Sequence, residues 1–119
     1  QQIVQSVIDS GQAFNVIYAE NDDMAKGAVA ALDKANISHG VGKDVIVMGF
    51  DCNKWALEEL LNQNWNYDGQ CNPYQASYIE DVIKKLESGE KIDEKTIIMD
   101  EKGFDATTIT QDDVDQFGI

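Results

Sequence analysis

Residues 45–53 read VIVMGFDCN, and this stretch decides the fold. A continuous apolar run of this length, rich in β-branched residues, reads as a strand buried on both faces, the kind found in parallel sheets. The run passes through Gly49 and Phe50 and stops abruptly at the carboxylate of Asp51. In open α/β sheets, ligands sit beyond the carboxyl ends of the strands. Asp51 therefore stands where it can touch a ligand. It could instead simply cap the helix that follows, and both readings stay open at this point.

Two other stretches repeat the pattern. Residues 14–19, FNVIYA, run into Glu20, Asn21 and Asp22. Residues 66–69, NYDG, run into Gln70, Cys71, Asn72 and Pro73. Each is followed by a helical pattern, so three strand ends would present acid and amide side chains along one rim.

The chain has 119 residues, enough for one domain with a modest core. Its formal net charge is -13 and it contains no arginine. That balance argues against nucleic acid and anionic membrane surfaces, which need clustered Lys or Arg. It argues equally against an anionic ligand, because no guanidinium fork is present to hold one. A neutral polyol or sugar suits the carboxylates and amides better. No transmembrane run or signal peptide stands out. Gln1 follows no Met, and residues 1–11 already read as a helix in progress, so we expect a segment of a longer polypeptide.

Two cysteines, Cys52 and Cys71, are too few for a disulfide scaffold. Both follow strand ends, so an extracytoplasmic compartment would permit a bond between them, and otherwise they are packing residues. With His39 the only histidine, neither a zinc site nor a cysteine nucleophile with its base is expected. His39 itself falls in the glycine-containing loop 36–43 and is expected to be exposed. No cofactor is expected.

Between these stretches the periodicities are regular. Ala25, Ala28, Val29 and Leu32 mark an amphipathic helix over 23–35, with Asn21 or Asp22 as its cap. Gly27 inside it suggests close approach to the sheet. A helix over 54–63 buries Leu57, Leu60 and Leu61, and Trp55 and Trp65 read as core. Ile79, Val82, Ile83 and Leu86 mark a helix whose first turn holds Pro73 and which Gly89 ends. Residues 96–99, TIIM, read as a short strand, and 100–105 as a charged turn that lacks the ligand spacing of a calcium loop. Thr110 and Asp113 open a final helix as a variant capping box. Alternating strands and helices give an α/β fold with a mostly parallel sheet flanked by helices in three layers.

Three motifs in series carry a resemblance: YAENDDMAKGAVAAL at 18–32, VIVMGFD at 45–51 and CNPYQ at 71–75. Together with SGEKI and KTIIMDEKGFD near the end, they resemble the periplasmic sugar-binding proteins of ABC transporters, of the ribose- and galactose-binding type. The resemblance covers nearly the whole chain. It implies a flavodoxin-like lobe of a two-lobed protein, here incomplete and from the C-terminal part, with a monosaccharide trapped between lobes and delivered to a permease. It assigns residues 1–71 to the second lobe, 72–95 to a segment crossing to the first lobe, and 96–119 to the return. It further implies a periplasmic or extracellular protein, lipid-anchored in a Gram-positive source, and no catalysis.

Carried over by position, Asn21 and Asp51 are the residues that hydrogen-bond sugar hydroxyls. Phe50 would line the pocket. Cys71 stands where many members place a glutamine, so Gln70 or Asn72 would supply the amide instead. The CNP variant is similar to members associated with galactofuranose and other hexoses. A lone lobe of this kind would leave an apolar helix face and a sheet edge uncovered, which favours a homodimer.

Two competing readings remain at this stage. The effector-binding core of a lactose-repressor-type regulator shares the NDxMA and GFD patterns. A sugar hydrolase could use Asp22 and Asp51 as paired carboxylates.

Overall fold

In the computed structural model, which describes residues 1–93 and 95–119, four strands form one sheet in the order β1 (Val16–Tyr18), β2 (Ile46–Asp51), β3 (Tyr67–Gln70) and β4 (Gly103–Asp105). β1, β2 and β3 are parallel neighbours, and β4 returns antiparallel to β3. The helices are α1 (Gln2–Asp9), α2 (Asp22–Lys34), α3 (Lys54–Leu61), α4 (Ala76–Glu87) and α5 (Gln111–Phe117). This is the expected mostly parallel α/β arrangement. The chain divides into two units, Gln1–Cys71 with Lys102–Ile119, and Asn72–Glu101.

The core of the first unit lies on one side of the sheet. Val47 of β2 is buried with Ala25 and Leu32 of α2, Ala56, Leu57 and Leu60 of α3, and Val114 of α5. Ile46, one position earlier, is exposed, because successive strand residues point to opposite faces. Trp65 is fully buried and meets Trp55 edge-to-face at 5.8 Å. Gly49 is required beneath that core: a β-carbon there would lie 2.5 Å from Asp22 Oδ1 and 2.9 Å from the Trp65 ring.

Local signals fix the helix starts. Asn21 caps α2, accepting from the Met24 amide at 2.8 Å. Thr110 and Asp113 form a reciprocal capping box that opens α5. In the second unit, Tyr78, Ile79, Val82, Ile83, Ile97 and Met99 line an apolar groove of about 320 Å³ along α4.

Several expectations are corrected. Residues 96–99 form no strand, and Ile98 is 87% exposed. The fourth strand is instead Gly103–Asp105, inside the stretch read as a charged turn, because these residues find the free edge of β3. Pro73 lies ahead of α4, which starts at Ala76. Gly27 faces the start of α1, where a β-carbon would sit 3.1 Å from the Gln1 nitrogen, and not the sheet. His39 is held against the protein: its Nδ1 lies 2.8 Å from the Asn64 carbonyl and its Nε2 3.0 Å from Asp33. Among the described residues, no helix is long and apolar enough to cross a membrane.

Candidate functional site

The carboxyl ends of β1, β2 and β3 lie side by side. Tyr18 pairs with Met48, Met48 with Tyr67, and Asp51 with Gln70. Asn21 follows Tyr18 by the same number of positions as Asp51 follows Met48. The two residues therefore leave neighbouring parallel strands at the same level. The Asn21 carbonyl oxygen is engaged in capping α2, which leaves its amide NH₂ to donate to a ligand.

Asp51 is not the cap of α3. The N-cap position is Asn53, with no side-chain cap bond. Asp51 instead sits at φ 126° and Cys52 at φ 61°. Both values are disfavoured for residues with a β-carbon, and such strain persists only where the surroundings over-determine it. Here they do. The Asn53 amide donates to Asp22 Oδ2 at 2.9 Å, and Asn53 Nδ2 donates to the same oxygen at 3.1 Å. The Cys52 amide donates to Asp68 Oδ1 at 3.4 Å. The Cys52 carbonyl accepts from the Ile119 amide at 3.1 Å. Among the described residues the Asp51 carboxylate has no hydrogen-bond partner of its own, so both its oxygens are available.

Phe50 sits in an aromatic row across the sheet face opposite the core. Its ring is 5.2 Å from that of Tyr18 and 6.4 Å from that of Tyr67. The row needs glycine beneath it: a β-carbon on Gly69 would collide with the Phe50 ring, and one on Gly103 with the Tyr67 hydroxyl. Tyr18 remains largely exposed. Sequence alone points to Phe50 but not to Tyr18 or Tyr67 as its partners, since only strand register aligns them.

The third strand end differs from expectation. Cys71 is exposed just past β3, and Cys52 is fully buried; both are free thiols, so the disulfide is not formed. Cys52 points inward at Asp68, with Sγ 3.8 Å from Oδ1, and burial drives its thiol pKa upward, helped by the Asp68 and Asp22 charges. Gln70 turns along the sheet, and its Oε1 accepts from the Lys102 amide at 3.2 Å. Asn72, in the second unit, has its side-chain oxygen bound by the Tyr74 amide at 2.8 Å, and its own amide donates to Glu101.

Asp22 and Asp68 are both fully buried. Asp22 is thus out of a substrate's reach, which removes it from any hydrolytic pair with Asp51. The consecutive amides of Cys52 and Asn53 bind one oxygen of each, and desolvation by burial raises the pKa of both. Asp68, desolvated and repelled by Asp22, is pushed up to about 8. An acid in the middle of a short strand was the one visible clue to Asp68. Among the described residues, no group of three or more His, Cys, Asp or Glu side chains could hold a metal ion.

No family model matches the chain. It is 33% identical over 61 residues to the ribose import binding protein of Bacillus subtilis, covering 51% of this chain and 18% of that protein. It is 33% identical over 92 residues to the fructose import binding protein of Bifidobacterium longum, covering 77% of this chain and 27% of that protein. In fold it is similar to a galactofuranose binding protein, with TM-score 0.83 at 21% identity, over 98% of this chain and 39% of the other. The chain therefore spans about a quarter or less of the length of the curated relatives it matches.

Proposed function

From the premise that this chain belongs to the ribose/galactose type of periplasmic sugar-binding proteins, we propose that it forms one wall of a cleft that captures a monosaccharide for an ABC importer. The observation that carries this reading is the pair of neighbouring strand ends. Asn21 offers amide donors and Asp51 offers two unengaged carboxylate oxygens at the same level of adjacent strands. Sugar hydroxyls both donate and accept, so this combination matches them. A hydroxyl in the wrong place leaves a buried polar group unpaired, at about 1–3 kcal/mol, and specificity follows without a chemical step.

Phe50 and its tyrosine neighbours supply an apolar surface beside these groups. We assign Cys71, exposed just past β3, to the far side of the rim. Residues 72–95 would cross to a first lobe and 96–119 would return from it. The partner would be the importer's permease, which reads the closed state, and the protein would work outside the cytoplasm. The matched relatives are import binding proteins, which favours this reading over a lactose-repressor-type regulator.

One lobe encloses less of a sugar than the roughly 70–90% of ligand surface that small-molecule pockets bury. The chain alone is therefore expected to bind weakly, and its half-exposed apolar face at Val16, Tyr18 and Ile46 favours a homodimer. Titration calorimetry with D-ribose, D-fructose, D-galactose and L-arabinose tests the reading. Weak, saturable heat with a dissociation constant above about 1 μM, for at least one sugar and lost in Asp51→Ala, is expected. Absence of binding to every sugar at millimolar concentration, or binding that Asp51→Ala leaves intact, would overturn it.

A further inference from the structure

Beneath the rim, two carboxyls converge on the consecutive amides of Cys52 and Asn53, which bind one oxygen of each. Asp22 opens α2 directly after Asn21, and Asp68 lies in β3. Both are fully buried, and among the described residues Asp22 Oδ1 and Asp68 Oδ2 have no hydrogen-bond partner. Two ionised carboxylates cannot hydrogen-bond, because each only accepts. One shared proton would let their two unpartnered oxygens bond.

The other oxygens of the pair hold the strained loop. Asp22 Oδ2 takes the Asn53 amide and side chain, and Asp68 Oδ1 takes the Cys52 amide and thiol. These are the residues directly after Asp51. We propose that Asp22 and Asp68 are positioning residues that share one proton, and that this proton locks the 51–53 loop and so aims Asp51 at its ligand. The aiming of Asp51 rests on the sugar-binding reading above; the proton-locked loop does not.

The surroundings favour a proton over any other neutraliser. The titratable groups acting on the pair are the Asp51 carboxylate from the end of β2 and the Cys52 thiol from the loop, and no cationic group is among them. Asp51 raises the affinity of both carboxyls for a proton. Asp68 rises from its ordinary 3.8 to about 8, which agrees with this geometry. The folded state then keeps a proton that an opened loop releases. Opening becomes easier as pH rises from the ordinary carboxylate range to about 8 and levels off above it.

Two measurements on the full chain test this without a sugar. Carbon-13 NMR of the aspartate carboxyls should show one member of the pair titrating near pH 8, absent in Asp68→Asn. Amide hydrogen exchange, corrected for its intrinsic pH dependence, should show protection at Cys52 and Asn53 falling by up to about tenfold per pH unit between pH ~5 and ~8. Asp68→Asn should flatten that profile, because its neutral amide donates to Asp22 at every pH. If every aspartate titrates in the ordinary carboxylate range, or if protection is flat in the wild type, the proposal fails. A chain that passes both measurements yet binds no sugar refutes the sugar-binding reading and leaves the proton-locked loop standing.

Discussion

The backbone amide of Asn53 donates to Asp22 Oδ2 at 2.9 Å, and together with the Asn53 side-chain amide on the same oxygen it ties the end of β2 to the first turn of α2. It joins residues far apart in sequence, and it lies between the two positions, Asn21 and Asp51, that we assign to the ligand. The rim is thus one connected object, held from below by buried groups and free above.

That separation predicts different consequences for its two polar members. Asp51→Ala removes a carboxylate that holds no part of the fold, so the thermal midpoint should barely move. Its loss should weaken sugar binding by roughly tenfold to hundredfold, the worth of a hydrogen bond to a charged group at about 1.5–3 kcal/mol. Asn21→Ala also removes a helix cap and should cost about 1 kcal/mol of stability besides. Calorimetric titration and thermal melts of both variants check the contrast; an Asp51→Ala variant as destabilised as Asn21→Ala contradicts it.

Gly49→Ala is expected to be costly although alanine suits a strand better than glycine does. Its methyl would press on the Asp22 carboxyl and the Trp65 ring. Overpacking of this kind costs roughly 1–3 kcal/mol. Denaturant unfolding should show the loss, and a variant as stable as the wild type would mean that Trp65 has room to move.

The two thiols should differ sharply in reactivity. Cys71 is exposed, whereas Cys52 is buried beside Asp68 with its thiolate disfavoured. A disulfide-exchange reagent should label one thiol in the native protein and two after unfolding. Fast labelling of both in the native state would show that the 51–53 loop opens readily.

At the acid end, stability should fall for a different reason. Asp113 is held down to about 2 by Lys102 and by the Thr110 hydroxyl and amide. Asp105 is lowered by Thr107. With folded values below the ordinary carboxylate value, both contribute stability above about pH 4 and lose it as pH falls toward about 2. The slope has the opposite sign to that of Asp68. Asp113→Asn should shrink the acid-side loss, as read from melting temperatures between pH ~5 and ~2.

By itself, the sequence determined what depends on near neighbours. The cap at Asn21, the capping box of Thr110 and Asp113, and the amphipathic run through Ala25 and Leu32 involve residues within a turn or two of each other. Their geometry follows from helix periodicity alone, and the alternation of such helices with buried runs such as residues 45–50 implied a parallel sheet. Tertiary structure decided whatever required a distant partner. TIIM has strand-forming residues but pairs with no strand among the described residues, while GFD takes the edge of β3. Cys52 turns in toward Asp68 and Cys71 turns out, which strand-end positions alone could not tell. Tyr18, Phe50 and Tyr67 become one row only when register aligns them. The pairing of Asp22 with Asp68 emerged last, because burying two acids is favourable only where the fold supplies donors for their remaining oxygens, and those donors come from the loop after β2.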